Sequence, residues 1–241
     1  MKIDLNADLG EGGQFDEALL QIVNSANIAC GFHAGSPDIM ANAIKLAVKY
    51  NVKIGAHPGF PDKENFGRTR MDLPPQSIYN LTLYQIAALD ALVKKENATM
   101  VHVKPHGMMY NQAAQDKTMA LAIAQAVYDF NPNLTLFGLS GSFLIDAAKE
   151  IGLPYMNEVF ADRRYQASGS LVDRSHPKAM IESEQESIKQ VLGFIKNGTV
   201  NTIDGEIIPV AAQTVCIHGD GPHALLFAKN LHAALSSDKL E

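Results

Sequence analysis

The chain has 241 residues, 46% of them hydrophobic, which is enough for one sizeable core, and α/β barrels of this length commonly form a single domain. Its 20 basic and 26 acidic residues give a net charge of -6, and no Lys/Arg stripe is present that could track a phosphate backbone, which excludes nucleic acid as an expected partner. Asp4, Asn6 and Asp8 follow Met1 too closely for a signal peptide, and no run approaches the roughly 20 apolar residues of a membrane span, so a cytoplasmic protein without membrane contact is expected.

Lys2 to Asp8 alternates strictly, with Ile3 and Leu5 on one face and Asp4, Asn6 and Asp8 on the other, as a strand with one polar face does. A turn-rich loop through Gly10, Glu11, Gly12 and Gly13 leads to a short helix predicted from about Asp16 to Asn24. The next strand, Ala26 to Gly31, sets Ile28 and Cys30 against Asn27 and Ala29, and its polar face continues to His33. Ser36 and Pro37 read as the cap and first residue of a helix carrying Ile39, Ala43, Leu46, Ala47 and Tyr50 at helical spacing. A third strand, Val52 to Ala56, directs Lys53, Gly55 and His57 to one side and stops at Pro58-Gly59. A long loop through Asp62, Phe66, Arg68 and Arg70 precedes a helix predicted from about Pro75 to Glu96.

The fourth strand begins at Val101 in the stretch V-H-V-K-P-H-G. Val101 and Val103 point one way, His102 and Lys104 the other, and Pro105 and Gly107 end it, so a lysine and histidines gather where a strand stops. A helix from about Asp116 to Phe130 and a strand from Leu134 to Phe137 follow, then a Gly/Ser loop to Ser142 of the kind that can hold an anion at a helix N-terminus. The sixth strand, about Pro154 to Phe160, runs into Ala161-Asp162-Arg163-Arg164. Residues 166 to 210 break the rhythm and are expected as an insertion with a helix near Glu182 to Lys196 and a hairpin turning at Asp204-Gly205. The last strand, Gln213 to His218, carries Thr214, Cys216, His218 and then Asp220 on one face, and a helix from about Pro222 to Leu235 closes the chain. Cys30 and Cys216, each in an apolar run, suit buried reduced thiols rather than a disulfide or a nucleophile.

Strands alternating with helices mean parallel strands joined by crossovers. About seven such units, with polar residues at the C-terminal ends of nearly all, favour a closed α/β barrel over a doubly wound sheet, whose functional ends would cluster at one switch point. With the apolar faces packed on helices, Asp8, His33, His57, Lys104 and His218 would all project inward near one rim. Buried ionisable groups are costly unless paired, so this many in one lumen point to function.

Six stretches then carry a resemblance: Asp4-Leu-Asn-Ala-Asp-Leu-Gly-Glu11, Ser25-Ala-Asn-Ile-Ala-Cys-Gly-Phe-His-Ala-Gly35, Gly55-Ala-His-Pro-Gly-Phe-Pro61 with Phe66-Gly-Arg68, His102-Val-Lys-Pro-His-Gly107, Glu158-Val-Phe-Ala-Asp-Arg163 and His218-Gly-Asp220. Together they resemble the LamB/YcsF family, which supplies the barrel component of the bacterial ATP-dependent 5-oxoprolinase. The resemblance implies a TIM-like (β/α)7 barrel of the glycoside hydrolase/deacetylase type. It also implies ATP-dependent opening of 5-oxo-L-proline to L-glutamate, with ATP as its Mg complex and 5-oxoprolinase subunits B and C as partners. Ala7 stands where a cysteine is expected and Ser36 where an aspartate is, which leaves Ser36 as a cap rather than an essential group.

The catalytic set implied is Asp8, Glu11, His33, His57, Lys104, His106, Asp162 and His218, with Asn6, Arg68, Arg163 and Asp220 on the substrate. On this reading Asp8 or Glu11 is the general base and His106 or His218 the acid. Lys104 and Arg163 stabilise negative charge, and Arg163 or Arg68 grips the substrate carboxylate. No G-x-x-x-x-G-K-[ST] occurs, so ATP handling is expected mainly in the partner subunits. Two alternatives stay open. One is a metal-dependent amide or carbohydrate hydrolase using Asp8, His33 and His57 as ligands, and the other is a non-catalytic protein that binds the lactam for its partners.

Overall fold

The computed structural model describes residues 3–217 and 224–236. Seven parallel strands close into a barrel: β1 (Asp4–Leu9), β2 (Ser25–Ala29), β3 (Lys53–His57), β4 (Met100–Val103), β5 (Thr135–Leu139), β6 (Tyr155–Phe160) and the strand Thr214–Ile217, which pairs with both β6 and β1. The register is regular except for a shift between Ile54 and Gly55 where β3 meets β4. The expected seven-stranded α/β barrel is therefore the fold.

Helices α1 (Asp16–Leu20), α2 (Pro37–Lys49), α3 (Pro75–Lys95), α4 (Gly107–Gln115), α5 (Lys117–Phe130) and α6 (Phe143–Ile151) connect the strands on the outside. The outward strand residues, among them Leu5, Leu9, Ile28, Ile54, Val103, Leu136, Val159 and Val215, are buried beneath them. Each such side chain contributes about 1.5–3 kcal/mol of burial. Ser36 caps α2 as expected, its Oγ accepting from the Ile39 amide at 3.2 Å. Two helical readings need correction. The first helix stops at Leu20 rather than continuing to Asn24. Helix α4 occupies a stretch to which the sequence pattern assigns no element, because Pro105 and Gly107 look like terminators while here they lead straight into a new helix.

Between β6 and the last barrel strand lie α7 (Glu184–Asn197) and the antiparallel pair β7 (Thr199–Asn201) and β8 (Ile207–Pro209), so the last barrel strand is β9. The hairpin turns through Gly205 at φ 87, a left-handed conformation that glycine adopts without a steric penalty. Tyr165 pins the segment to the barrel: it is fully buried and its hydroxyl accepts from the Phe160 amide at 2.8 Å. Helix α8 (Ala224–Ser236) follows, and no helix among the described residues is long and apolar enough to cross a membrane.

Candidate active site

The lumen is polar from its base upward. At the base, Asp4 accepts from Ser25 Oγ and Thr214 Oγ1, both at 2.8 Å, and from Lys53 Nζ at 3.3 Å. One layer higher, Asn6 donates to Glu158 Oε1 and Thr214 Oγ1 and accepts from Asn27 and Lys104, so both hydrogens and both lone pairs of its amide are in use. Asn27 also donates to Asp8 Oδ1, and its carbonyl oxygen accepts from His102 Nε2 at 2.8 Å. His102 stacks on Phe137 opposite Gly55, where a methyl group would run into the imidazole. Burial, with Lys104 next, pushes His102 down to about 3, so it is neutral.

Lys104 stands at the centre of the lumen. Its ammonium lies 2.9 Å from Asp8 Oδ1, 2.9 Å from Glu158 Oε1 and 3.0 Å from Cys216 Sγ. Burial opposes its charge, but the carboxylates of Asp8 and Glu158 prevail and hold it well above its ordinary value. Burial raises the Cys216 thiol well above its usual range and the Cys30 thiol to about 12, in keeping with two inert free thiols.

Above Lys104 the rim gathers Glu11 and three histidines. His57 Nδ1 lies 2.7 Å from the Lys104 carbonyl and His106 Nε2 lies 2.9 Å from the Phe66 carbonyl. A carbonyl only accepts, so both nitrogens carry hydrogen, which in the neutral rings leaves lone pairs on His57 Nε2 and His106 Nδ1. Those two atoms face each other at 3.0 Å. Glu11 Oε1 lies 3.3 Å from His106 Nδ1 and 3.8 Å from His57 Nε2, and it accepts from His33 Nε2 at 3.0 Å. His33 stacks face to face on His106 with ring centroids 3.7 Å apart, and its Nδ1 is buried without a hydrogen-bond partner among the described residues. A Cβ at Gly59 would collide with the His33 ring and one at Gly67 with His33 and His106, so glycine at both positions makes room for the stack. Burial holds His33 and His106 well below the ordinary histidine range, and neighbouring imidazoles add to the effect.

A cavity of about 880 Å³ opens over these groups, lined by Asp8, Glu11, His57, Lys104 and His106 at its floor. Arg68 and Arg70 from the 59–73 loop, Met108 and Gln112 from α4, and Arg163 and Arg174 form its walls. Arg163 is buried and donates a hydrogen bond from a terminal nitrogen to the Val172 carbonyl, and its Nε has no hydrogen-bond partner among the described residues. Burial, then Arg174, lowers it to about 10, which leaves it cationic at neutral pH.

Most residues expected at the site converge, with exceptions. Asn6 lies beneath Lys104, outside the cavity lining, and its amide is saturated by neighbouring side chains. Asp162 is also outside the lining. Arg68 is exposed over the Phe66 ring, 4.9 Å from its centroid, at the cavity edge. His218 and Asp220 lie outside the described residues. The ligand trio Asp8, His33 and His57 is also redrawn. The group whose donor atoms all fall within 4.8 Å of one another is Glu11, His33, His57 and His106; Asp8 is outside it, with Oδ1 on Lys104 and Oδ2 3.4 Å from His57 Nε2. Sequence reasoning missed Glu158 as the second carboxylate on Lys104. The available signal was an acidic residue at an inward position of an apolar strand.

The LamB/YcsF family model matches residues 3–241. The structure superposes on that of a lactam utilization protein from Thermus thermophilus with a TM-score of 0.90 and 42% identity, over 98% of this chain and 96% of the other. It also resembles, at a TM-score of 0.51 and 14% identity, an Enterococcus faecalis protein named as a candidate for cellobiose-phosphate cleavage, over 98% of this chain and 91% of the other. That second likeness concerns the fold alone. A family match over nearly the whole chain and the 42% identity agree with the motifs that line the lumen, and the chain belongs to the LamB/YcsF family.

Proposed function

We propose that this chain is the barrel component of an ATP-dependent 5-oxoprolinase, opening the ring amide of 5-oxo-L-proline to L-glutamate together with subunits B and C. Family membership and the similarity to a lactam utilization protein support the substrate class. The observation that carries the reading is a buried carboxylate, Asp8, held by Lys104 on the same cavity as Arg163, whose Nε has no hydrogen-bond partner among the described residues. A lactam acid presents a carboxylate to bind and an amide to attack, and these two groups answer that pair of needs.

Arg163 receives the substrate carboxylate through Nε, which loses little because that donor is already desolvated. Lys104 and Asn27 hold Asp8 through Oδ1, leaving Oδ2 on the side of His57, 3.4 Å from its Nε2. Asp8 Oδ2 takes a proton from the attacking water as its oxygen bonds to the ring carbonyl carbon. The same carboxyl returns the proton to the ring nitrogen as the C–N bond breaks. Lys104 already faces Asn6, Asp8, Glu158 and Cys216 and has three hydrogens to give, so its role is to keep Asp8 ionised and oriented rather than to touch substrate. ATP, as its Mg complex, would supply the activation by transferring its γ-phosphoryl group to the amide oxygen with ADP leaving and inorganic phosphate lost after water adds, and its handling would fall mainly to subunits B and C.

The test is glutamate formation from 5-oxoproline and ATP, with and without the partner subunits. Turnover is expected only in the full assembly, and Arg163→Ala is expected to raise KM more than it lowers kcat. Full activity of the chain alone without ATP, or an Arg163→Ala variant with unchanged KM, would overturn the reading.

A further inference from the structure

The rim histidines pose a problem that the lactam chemistry does not resolve. Two backbone carbonyls each take the hydrogen of one nitrogen of His57 and of His106, so with both rings neutral the two remaining lone pairs meet at 3.0 Å. A carboxylate oxygen, Glu11 Oε1, joins them at 3.3 and 3.8 Å. Three electron-rich atoms turned towards one point repel unless something positive lies among them.

We infer that Glu11 Oε1, His57 Nε2 and His106 Nδ1 bind a divalent transition-metal cation of the zinc class. The dimensions fit. Metal–ligand bonds of about 2.0–2.1 Å in tetrahedral geometry place ligand atoms about 3.3 Å apart, and the three edges here are 3.0, 3.3 and 3.8 Å. The donor set of two imidazole nitrogens and one carboxylate oxygen suits zinc or cobalt better than magnesium or calcium, which prefer all-oxygen shells.

The outer contacts are those of a metal site as well. Each ligating histidine donates its remaining N–H to a backbone carbonyl, which fixes both tautomer and ring orientation. His33 is a positioning residue here: it donates to Glu11 and stacks on His106. Three protein ligands leave a fourth position free, and Glu11, His57 and His106 all line the cavity, which is the arrangement of a catalytic rather than a structural site. The site stands on this geometry alone. Only its use in hydrolysis rests on the lactam reading above.

The experiment uses the full-length chain produced without a histidine tag and stripped by a chelator. Zn²⁺ is titrated calorimetrically, and Co²⁺ is added to read the coordination geometry from its visible absorption. One Zn²⁺ per chain and a four- or five-coordinate Co²⁺ spectrum are expected. Glu11→Gln and His106→Ala, each checked for folding by circular dichroism, should weaken binding by more than the roughly 10–100-fold that loss of an outer contact costs. The control His176→Ala, at an exposed histidine outside the cavity, should change nothing. No stoichiometric binding would overturn the site and leave a shared proton between His57 and His106 instead. Binding that survives both variants would overturn it too. Catalytic use is read separately, by assaying chelator-treated chain in the assembly with excess Mg²⁺ restored. Full turnover there would remove the cation from the reaction while the site stands, whereas loss restored by Zn²⁺ supports both.

Discussion

Around Asn6, in the lower half of the lumen, neighbouring strands take every hydrogen and lone pair of the side-chain amide. At the mouth, a few residues along the same strands, His57 Nε2 and His106 Nδ1 face each other, and Arg163 Nε has no hydrogen-bond partner among the described residues. Both regions are buried and both are built from polar side chains, so burial and polarity do not separate them. What separates them is saturation. A polar group whose valences are all met by the fold supports the fold, and one left open in a desolvated wall is available to a ligand. The lower half has exceptions in His102 Nδ1 and Glu158 Oε2, neither of which has a hydrogen-bond partner among the described residues. Neither residue lines the cavity.

The sharpest way to break the comparison is to remove the ion at the boundary. Lys104→Met leaves Asp8 and Glu158 buried without their cation, and a loss of about 3–5 kcal/mol in denaturant unfolding is expected. Adding Glu158→Gln should recover part of it, and strict additivity of the two changes would show that the groups do not interact. Next in size is Gly55→Ala, which drives a methyl group into the His102 imidazole and should cost about 1–3 kcal/mol by overpacking. A neutral effect would mean that the lower half is looser than its hydrogen bonds imply.

The third effect is a slope with pH. His102 is held near 3 in the fold by burial, with Lys104 next, against about 6.5 in the unfolded chain. Below pH 6.5 the unfolded chain therefore takes up a proton that the native protein refuses. Stability falls by about 1.4 kcal/mol per pH unit from this group as pH drops towards 3. His33 and His106 act in the same direction. Unfolding followed between pH 4 and 7 should show the slope reduced by about one proton in His102→Gln, and an unchanged slope would mean that His102 titrates normally in the fold.

Much of the lower half is legible in the sequence because strand alternation is a local rule. The parity of Asp4, Asn6 and Asp8, of Asn27, of Gly55 and His57, and of His102 and Lys104 follows from spacing, and all of them face the lumen. The mouth is less legible because it depends on loops. Glu11 follows a glycine turn, and His106 sits between Pro105 and α4, whose nine-residue sequence GMMYNQAAQ carries only a weak helical pattern. Whether they meet His33 and His57 depends on space at Gly59 and Gly67, which no pairwise spacing reveals. The same limit applies to Asp8, which spacing groups with the histidines: it bridges the two regions, with Oδ1 on Lys104 and Oδ2 3.4 Å from His57 Nε2.

The proposal that the mouth performs chemistry while the lower half only supports it meets its most direct test in one substitution. Asp8→Asn keeps the size of the side chain and removes the base. In the assembled enzyme, ATP-dependent glutamate formation from 5-oxoproline should fall by roughly 10²–10⁴-fold while the protein stays folded, the scale of a lost general base. Turnover within a few-fold of wild type would contradict the account and move the chemistry to the partner subunits.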